Sequence, residues 1–276
     1  MSQPIIVPDT GGFLSRKIFP ALNRLAMRVL GHSVILKDLL YRILWLLPES
    51  LREQNLVRTT LKSLAHLNEP IFFMNIGAND GLAGDPLREF IVTKGWNGIL
   101  VEPVDYVFQR LVKAYRSYPP ARIILENAAI AEATGTKKFW HLKQASGLSP
   151  GYDQIGSFSK DHVLKHKDMF PNLERYLVSR DVACISFGNL LRKHNIQRLD
   201  LVFIDTEGYD YEVIKQIDLV KTPPKVIIFE NAHLPAEEVQ ACYNLLRTHG
   251  FVVSEEGCNT VATHARGFPT GSLLTN

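Results

Sequence analysis

Acids and an imidazole cluster in two short stretches of this 276-residue chain, Asp205-Thr206-Glu207-Gly208-Tyr209-Asp210 and Glu230-Asn231-Ala232-His233, each placed where an apolar run ends. Paired acids that close an apolar run have no core role, so Asp205 and Glu207 read as site residues able to take up a proton. His233, of a residue type that titrates near neutrality, is the preferred general base. Helix N-terminal capping by Glu207 or Asp210 is the structural alternative. Upstream, Phe73-Met74-Asn75-Ile76-Gly77-Ala78-Asn79-Asp80-Gly81 takes an apolar run into a glycine pair, and Ile99-Leu100-Val101-Glu102-Pro103 ends the next run at a carboxylate. Glycines let backbone come close to a ligand at a strand-to-helix turn, and the carboxylate is placed to grip ribose hydroxyls. The chemistry implied is that of a nucleoside-bearing cofactor held beside a group of acids. A dinucleotide fit is disfavoured: Gly77, Gly81 and Gly84 lack the two-residue step between the first glycines of G-x-G-x-x-G.

Short β-rich runs must position these residues. They are expected at Ile71 to Ile76, Gly98 to Glu102, Arg122 to Glu126, Leu199 to Asp205, Lys225 to Glu230, Phe251 to Ser254 and Thr260 to His264, alternating with helical patterns from Glu69 onward. This is an α/β pattern with a mainly parallel sheet. The last two runs are joined by a turn at Glu256-Gly257 too short for a parallel crossover, so they form an antiparallel terminal hairpin. Residues 1–68 read as a helical N-terminal extension or cap, with helices through Leu22 to Leu30, from Ser33 to Pro48, and through Leu56 to Leu67; residues 69–276 form the main domain. An insertion, residues 131–186, carries one extra strand at Lys137 to Leu142 and then a Gly/Ser-rich stretch, the place to look for substrate contacts.

Composition narrows the rest. With 46% apolar residues the chain can bury a full core. The net charge of +3 comes from residues 1–68, which hold nine Lys or Arg against four Asp or Glu, so no nucleic-acid surface is expected. A basic amphipathic face there offers peripheral membrane contact as an alternative to packing on the main domain or on a second subunit of a homodimer. Val34 to Leu47 is charged and too short to span a bilayer, and Met1 to Gly12 lacks the pattern of a signal peptide, so a cytoplasmic protein is expected. Three cysteines without a CxxC pair predict a reducing compartment and no zinc site. His162 and His166 stand at i and i+4 in a lysine-rich helix and read as a solvated face rather than zinc ligands. Asp205, Glu207 and Glu230 are hard oxygen donors suited to Mg2+ if a metal is used.

The pattern Asn75-x-Gly77-x-x-x-Gly81 resembles the first motif of class I methyltransferases. With Asn127-Ala128-Ala129-Ile130, Asp205-Thr206-Glu207-Gly208 and Val226-Ile227-Ile228-Phe229-Glu230-Asn231, residues 70–255 resemble the FkbM family of S-adenosylmethionine-dependent methyltransferases. The resemblance implies a Rossmann-like, seven-stranded sheet and O-methylation of a hydroxyl on a sugar or secondary metabolite. N-methylation of a small metabolite and a non-catalytic binding subunit are the alternatives. By position, it implies that Gly77, Ala78, Asn79 and Gly81 contact the methionine portion, Glu102 the ribose, and Asn127 and Ala128 the adenine, with Asp205 and Glu207 near the departing methyl group. Asn75 stands where an Asp is usual, and Gly188 where the family commonly has an Asp.

Overall fold

The structure is a computed structural model that describes residues 5–6, 33–45, 55–67, 69–82, 84–119, 122–145, 151–170 and 172–268. Two sheets are built in chain order from β1 (Ile5–Ile6), β2 (Phe72–Ile76), β3 (Asn97–Val101), β4 (Ile123–Glu126), β5 (Ala129–Ile130), β6 (Gly135–Leu142), β7 (Gly156–Ser157), β8 (Leu177–Ile185), β9 (Leu201–Ile204), β10 (Val226–Glu230), β11 (Phe251–Glu256) and β12 (Asn259–His264). The larger sheet is ordered β1-β11-β12-β10-β9-β2-β3-β4. Its pairs are parallel except where β12 runs antiparallel to β10 and β11, so the terminal hairpin lies on the parallel sheet as expected.

Strands buried on both faces must be apolar, and β9 is throughout, as is β2 but for Asn75. Alternation along β2 sends Phe73 to one face and Met74 to the other. The Phe73 face packs under α2 (Leu56–Ala65), α3 (Arg88–Lys94) and α4 (Asp105–Tyr115), through Leu61, Leu64, Phe90, Leu111 and Tyr115. The Met74 face is covered by α6 (Phe187–Lys193), α7 (Asp210–Ile214) and α8 (Ala236–Thr248), through Leu190, Val213 and Leu246. Trp96 stacks on Phe90 at 4.9 Å, the packing role its position implies.

Two expectations are corrected. The N-terminal 68 residues are not wholly helical, because β1 pairs in parallel with Ser254 and Glu255 of β11 and adds an eighth strand. The segment after β4 is not one strand and a loop: β5, β8, β6 and β7 form a second, four-stranded sheet, in which β6 and β8 pair over their full lengths from Gly135–Cys184 to Leu142–Leu177. The short helix α5 (Lys160–Leu164) follows β7, capped by the Ser159 side chain. The helix expected through Leu22 to Leu30 lies outside the described residues. The next is α1 (Val34–Trp45), held to the core by ion pairs from Lys37 to Asp80, 3.3 Å, and from Arg88 to Asp38, 2.7 Å. Among the described residues no helix is long and apolar enough to cross a membrane.

Two buried acids make the fold testable. Asp200, 1% exposed, accepts the Phe72 N–H at 3.0 Å and the Arg198 guanidinium at 2.6 Å, tying the start of β2 to the start of β9. Asp200→Ala leaves the Phe72 N–H without its acceptor, while the exposed Arg198 keeps Glu69, and is expected to cost about 2 kcal/mol in urea denaturation. Asp210 is fully enclosed, and burial pushes its carboxyl up from 3.8 to about 6. The folded state therefore holds this proton more tightly than the unfolded state, and its contribution to stability declines as pH rises through 6. Asp210→Asn keeps an acceptor for the Thr206 hydroxyl, 2.8 Å away in the parent. Its stability relative to the parent is expected to rise by roughly 1 kcal/mol between pH 5 and 7.5, and a difference independent of pH would refute this reading.

Candidate active site

A cavity of about 530 Å³ opens at the carboxyl ends of β2, β3, β9 and β10, within the size range of ligand pockets. Its place follows from topology: chain connections diverge on either side of β2, which pairs with β3 on one flank and β9 on the other. At this point the two turns press together. A Cβ on Gly77 would lie 1.8 Å from the Asp205 carbonyl oxygen, and the residue has φ +84, so only glycine fits. The Gly77 and Ala78 N–H groups donate to the Val101 carbonyl at 3.0 and 2.9 Å, and Asp205 N–H donates to Ile76 at 2.9 Å. Three strand ends are thereby locked around one cleft.

Glu102 occupies one end. Its carboxylate accepts the Asn79 N–H at 3.1 Å and the Val104 N–H at 2.8 Å, while burial, opposed by these bonds, pushes it up to about 7. Asn75 sits on the α2 face of β2, 3% exposed, and its Oδ1 lines the cavity region without a hydrogen-bond partner. Gly77, Ala78, Asn79 and Ala128 also line the cavity. Gly81 and Asn127 do not. A Cβ at Gly81 would meet Leu111 and Tyr115 at 2.6 Å, so that glycine serves the packing of α4. Asn127 donates through its amide to the Glu102 carbonyl at 2.8 Å, which places it behind the wall where it fixes the turn carrying Glu102. Gly188 lies on α6, also outside the lining.

Asp205 and Glu230 occupy the other end and open into the cavity with Glu207. Asp205 is exposed at the cavity surface but lies deep within the cleft, and that desolvation, then the charges of Glu230, Glu207 and Asp210, hold its carboxyl above its ordinary value. Burial and the Glu207 charge likewise push Glu230 up to about 7. Glu207 departs in the opposite direction: burial would raise it, but the neighbouring imidazoles of His162 and His166 and the charge of His233 outweigh that and hold it at about 2. The His233 imidazole is kept below its usual range by burial, only partly offset by Glu207.

Two sequence readings change here. His233 does not line the cavity; its Nε2 faces Glu207 Oε2 at 3.3 Å and Glu230 Oε2 at 3.6 Å. His162 and His166 are not a solvated face: they are 6% and 8% exposed and turn their Nε2 atoms onto the same Glu207 oxygen, at 3.4 and 3.5 Å. Their spacing was visible in the sequence, but Glu207 and His233 join them only through the fold. Asp205, Glu207 and Glu230 do converge as the proposed oxygen-donor set requires, their nearest oxygens within 4.8 Å of one another. Nothing in the sequence pointed to Asp153, between β6 and β7, which lines the cavity with Glu102 and forms a buried ion pair with Arg110 of α4.

Known proteins were compared with the chain by sequence and by structure. No curated protein matches the chain. Among solved structures, methyltransferase FkbM from Methylobacillus flagellatus KT is 12% identical, covering 75% of this chain and 48% of its own, with a TM-score of 0.43; the chain thus spans about half the length of that protein. Precorrin-6y C5,15-methyltransferase from Geobacter metallireducens GS-15 is 13% identical, with 79% and 92% covered and a TM-score of 0.39. The N-terminal domain of human METTL16 in complex with SAH is 11% identical, with 75% and 68% covered and a TM-score of 0.40. The sequence profile of the methyltransferase FkbM domain matches residues 75–254, from the asparagine of β2 to the middle of β11. With that match spanning well over half its length, and with a parallel sheet closed by an antiparallel hairpin, the chain belongs to the FkbM family of methyltransferases and has the class I methyltransferase fold.

Proposed function

We propose that this methyltransferase uses S-adenosylmethionine and methylates a hydroxyl oxygen on a sugar or other small metabolite. The observation that supports the reading best is one cavity with Glu102 at one end and the Asp205 and Glu230 carboxyls at the other, all at strand ends. The residues fit the cofactor. Asn75 Oδ1 is a buried acceptor without a partner, suited to a donor such as the cofactor's ammonium. An Asp there would bury an unpaired charge when the cavity is empty of cofactor, whereas Asn offers the acceptor at lower desolvation cost. Glu102 would hold the ribose hydroxyls, Ala128 would border the adenine, and the Gly77 turn would admit the methionine backbone. When bound, the cofactor supplies an electrophilic methyl group on a sulfonium.

An alcohol must lose its proton as the methyl group arrives, and the protein must align the oxygen and accept that proton. Asp205 and Glu230 face the cavity and are placed for both tasks, with Glu230 the acceptor, whereas His233 reaches the reaction only through its contacts with Glu207 and Glu230. This favours oxygen over nitrogen as the nucleophile, since a neutral amine can attack before it loses a proton.

Calorimetry with S-adenosylmethionine tests the cofactor site. Saturable binding to the full chain is expected, weakened roughly 10- to 100-fold by Glu102→Ala, which deletes the proposed ribose contacts. Absence of binding to the folded parent sinks the reading. For the chemical step, transfer of labelled methyl groups to a panel of sugar and polyketide hydroxyls is expected to fall about 100-fold in Glu230→Gln, with cofactor affinity little changed. Equal turnover in the variant would remove Glu230 from its role.

A further inference from the structure

We propose that His162, His166, His233 and Glu207 form a binding site for one divalent transition-metal ion of the zinc type. The four residues come from three separate segments: α5 and the turn after it, the turn after β9, and the turn after β10. All present one ligand atom to a common point, these atoms lying within 4.8 Å of one another.

The distances favour a shared ion over mutual hydrogen bonding. Glu207 Oε2 lies 3.4, 3.5 and 3.3 Å from the Nε2 atoms of His162, His166 and His233. Charge-assisted N–H to carboxylate bonds are shorter, about 2.7–2.9 Å. One carboxylate oxygen has only two lone pairs for three imidazoles. His166 Nε2 is accordingly buried and without a hydrogen-bond partner. By contrast, ligands about 2.0–2.1 Å from a tetrahedral zinc ion stand roughly 3.3–3.4 Å apart along each edge. The separations from His162 and His233 have that length, and the 3.5 Å separation from His166 is only slightly longer. Three imidazoles with a carboxylate also match the donor preference of zinc, copper, iron or nickel rather than magnesium.

Charge points the same way. Glu207, Asp205 and Glu230 converge within 4.8 Å, and among the described residues no Lys or Arg forms an ion pair with any of them. A divalent ion bound by the imidazoles and Glu207 would supply the missing positive charge. The absence of cysteine pairs excludes a thiolate zinc site, but this one needs no sulfur. Glu207 lines the cavity while the histidines stand behind it, so an ion with all four positions filled by protein would fix the Glu207 turn at the acceptor end of the cavity rather than bind substrate. That last consequence rests on the function proposed above; the metal site itself does not.

The test measures metal binding alone, without a methyl donor. Full-length, tag-free protein stripped with chelator is titrated with Co2+, followed by visible absorption, and then with Zn2+ in competition. The expected result is about one equivalent bound, an intense four-coordinate cobalt spectrum, and its replacement by zinc but not by millimolar-range Mg2+. His162→Ala combined with His166→Ala is expected to weaken binding about 100-fold or more. His194→Ala, a change at a histidine paired with Glu126 elsewhere, leaves it unchanged. Glu207→Gln, close in shape to the parent, provides the same comparison should the double variant misfold by circular dichroism. The proposal is overturned if the folded parent binds neither Co2+ nor Zn2+ stoichiometrically, if the folded variants bind as tightly as the parent, or if Mg2+ displaces cobalt.

Discussion

The contact between Gly77 and the Asp205 carbonyl is the constraint on which the site depends. β2 and β9 are adjacent parallel strands, paired through Ile76 and Ile204, and both chains must turn away at the same level. They can do so only because residue 77 has no Cβ to occupy the space that the Asp205 oxygen fills. Moving the two turns apart would carry the Gly77 turn away from the acids by the width of a side chain. The same approach lets Asp205 N–H bond to Ile76 and leaves Asp205 lining the cavity. Backbone packing thus sets the distance between the Glu102 end and the acidic end before any side chain acts.

The second sheet closes the cavity by polar attachment at both of these ends. At the Glu102 end, the Asp153 carbonyl accepts the Asn79 amide at 2.9 Å, and the Asp153 side chain pairs with Arg110. At the acidic end, Ser157 donates to the Glu207 carbonyl at 3.3 Å, and His162 and His166 meet the Glu207 carboxylate. Apolar packing joins it as well: Phe139, Val182 and Cys184 cluster with Val104 and Val107, and Ile130 and Ile185 belong to a core of the larger sheet. A further cluster, with Leu142, Tyr152, Ile155 and Val163, lies at the far end of the sheet. The polar anchors thus add to a shared apolar core rather than replace it.

The seven core strands were legible in the sequence because parallel strands buried on both faces are apolar runs with clear polar ends. Those ends, Glu102, Asp205 and Glu230, are also where the candidate site lies, so one signal located both. Gly77 was legible as a glycine but not as the partner of Asp205, since the two meet across 128 positions of chain. Gly81 and Asn127 were assigned to the ligand because motif position cannot separate a residue in the wall from one behind it. Of the second sheet only β6 was legible, as the run Lys137 to Leu142; β8 was not, because its middle from Ser179 to Asp181 is exposed and polar, and β5 and β7 are two residues each, too short for periodicity to register. His162 and His166 looked like a wet helix face because their lysine neighbours stay exposed while the histidines alone turn inward.

Glu207 shows how the acidic end is held together. Its backbone has φ +52, a left-handed conformation that a residue with a side chain adopts at a cost of about 1–3 kcal/mol. The turn keeps it there through the Thr206 hydroxyl bond to Asp210 and the Ser157 bond to the Glu207 carbonyl. In that conformation the carboxylate meets three imidazoles while still lying within 4.8 Å of the Asp205 and Glu230 oxygens. The imidazoles hold Glu207 down at about 2, and its charge in turn helps to hold Asp205 and Glu230 above their ordinary range. Two acids of one cluster therefore remain able to carry a proton, and the third, committed to the histidines, does not.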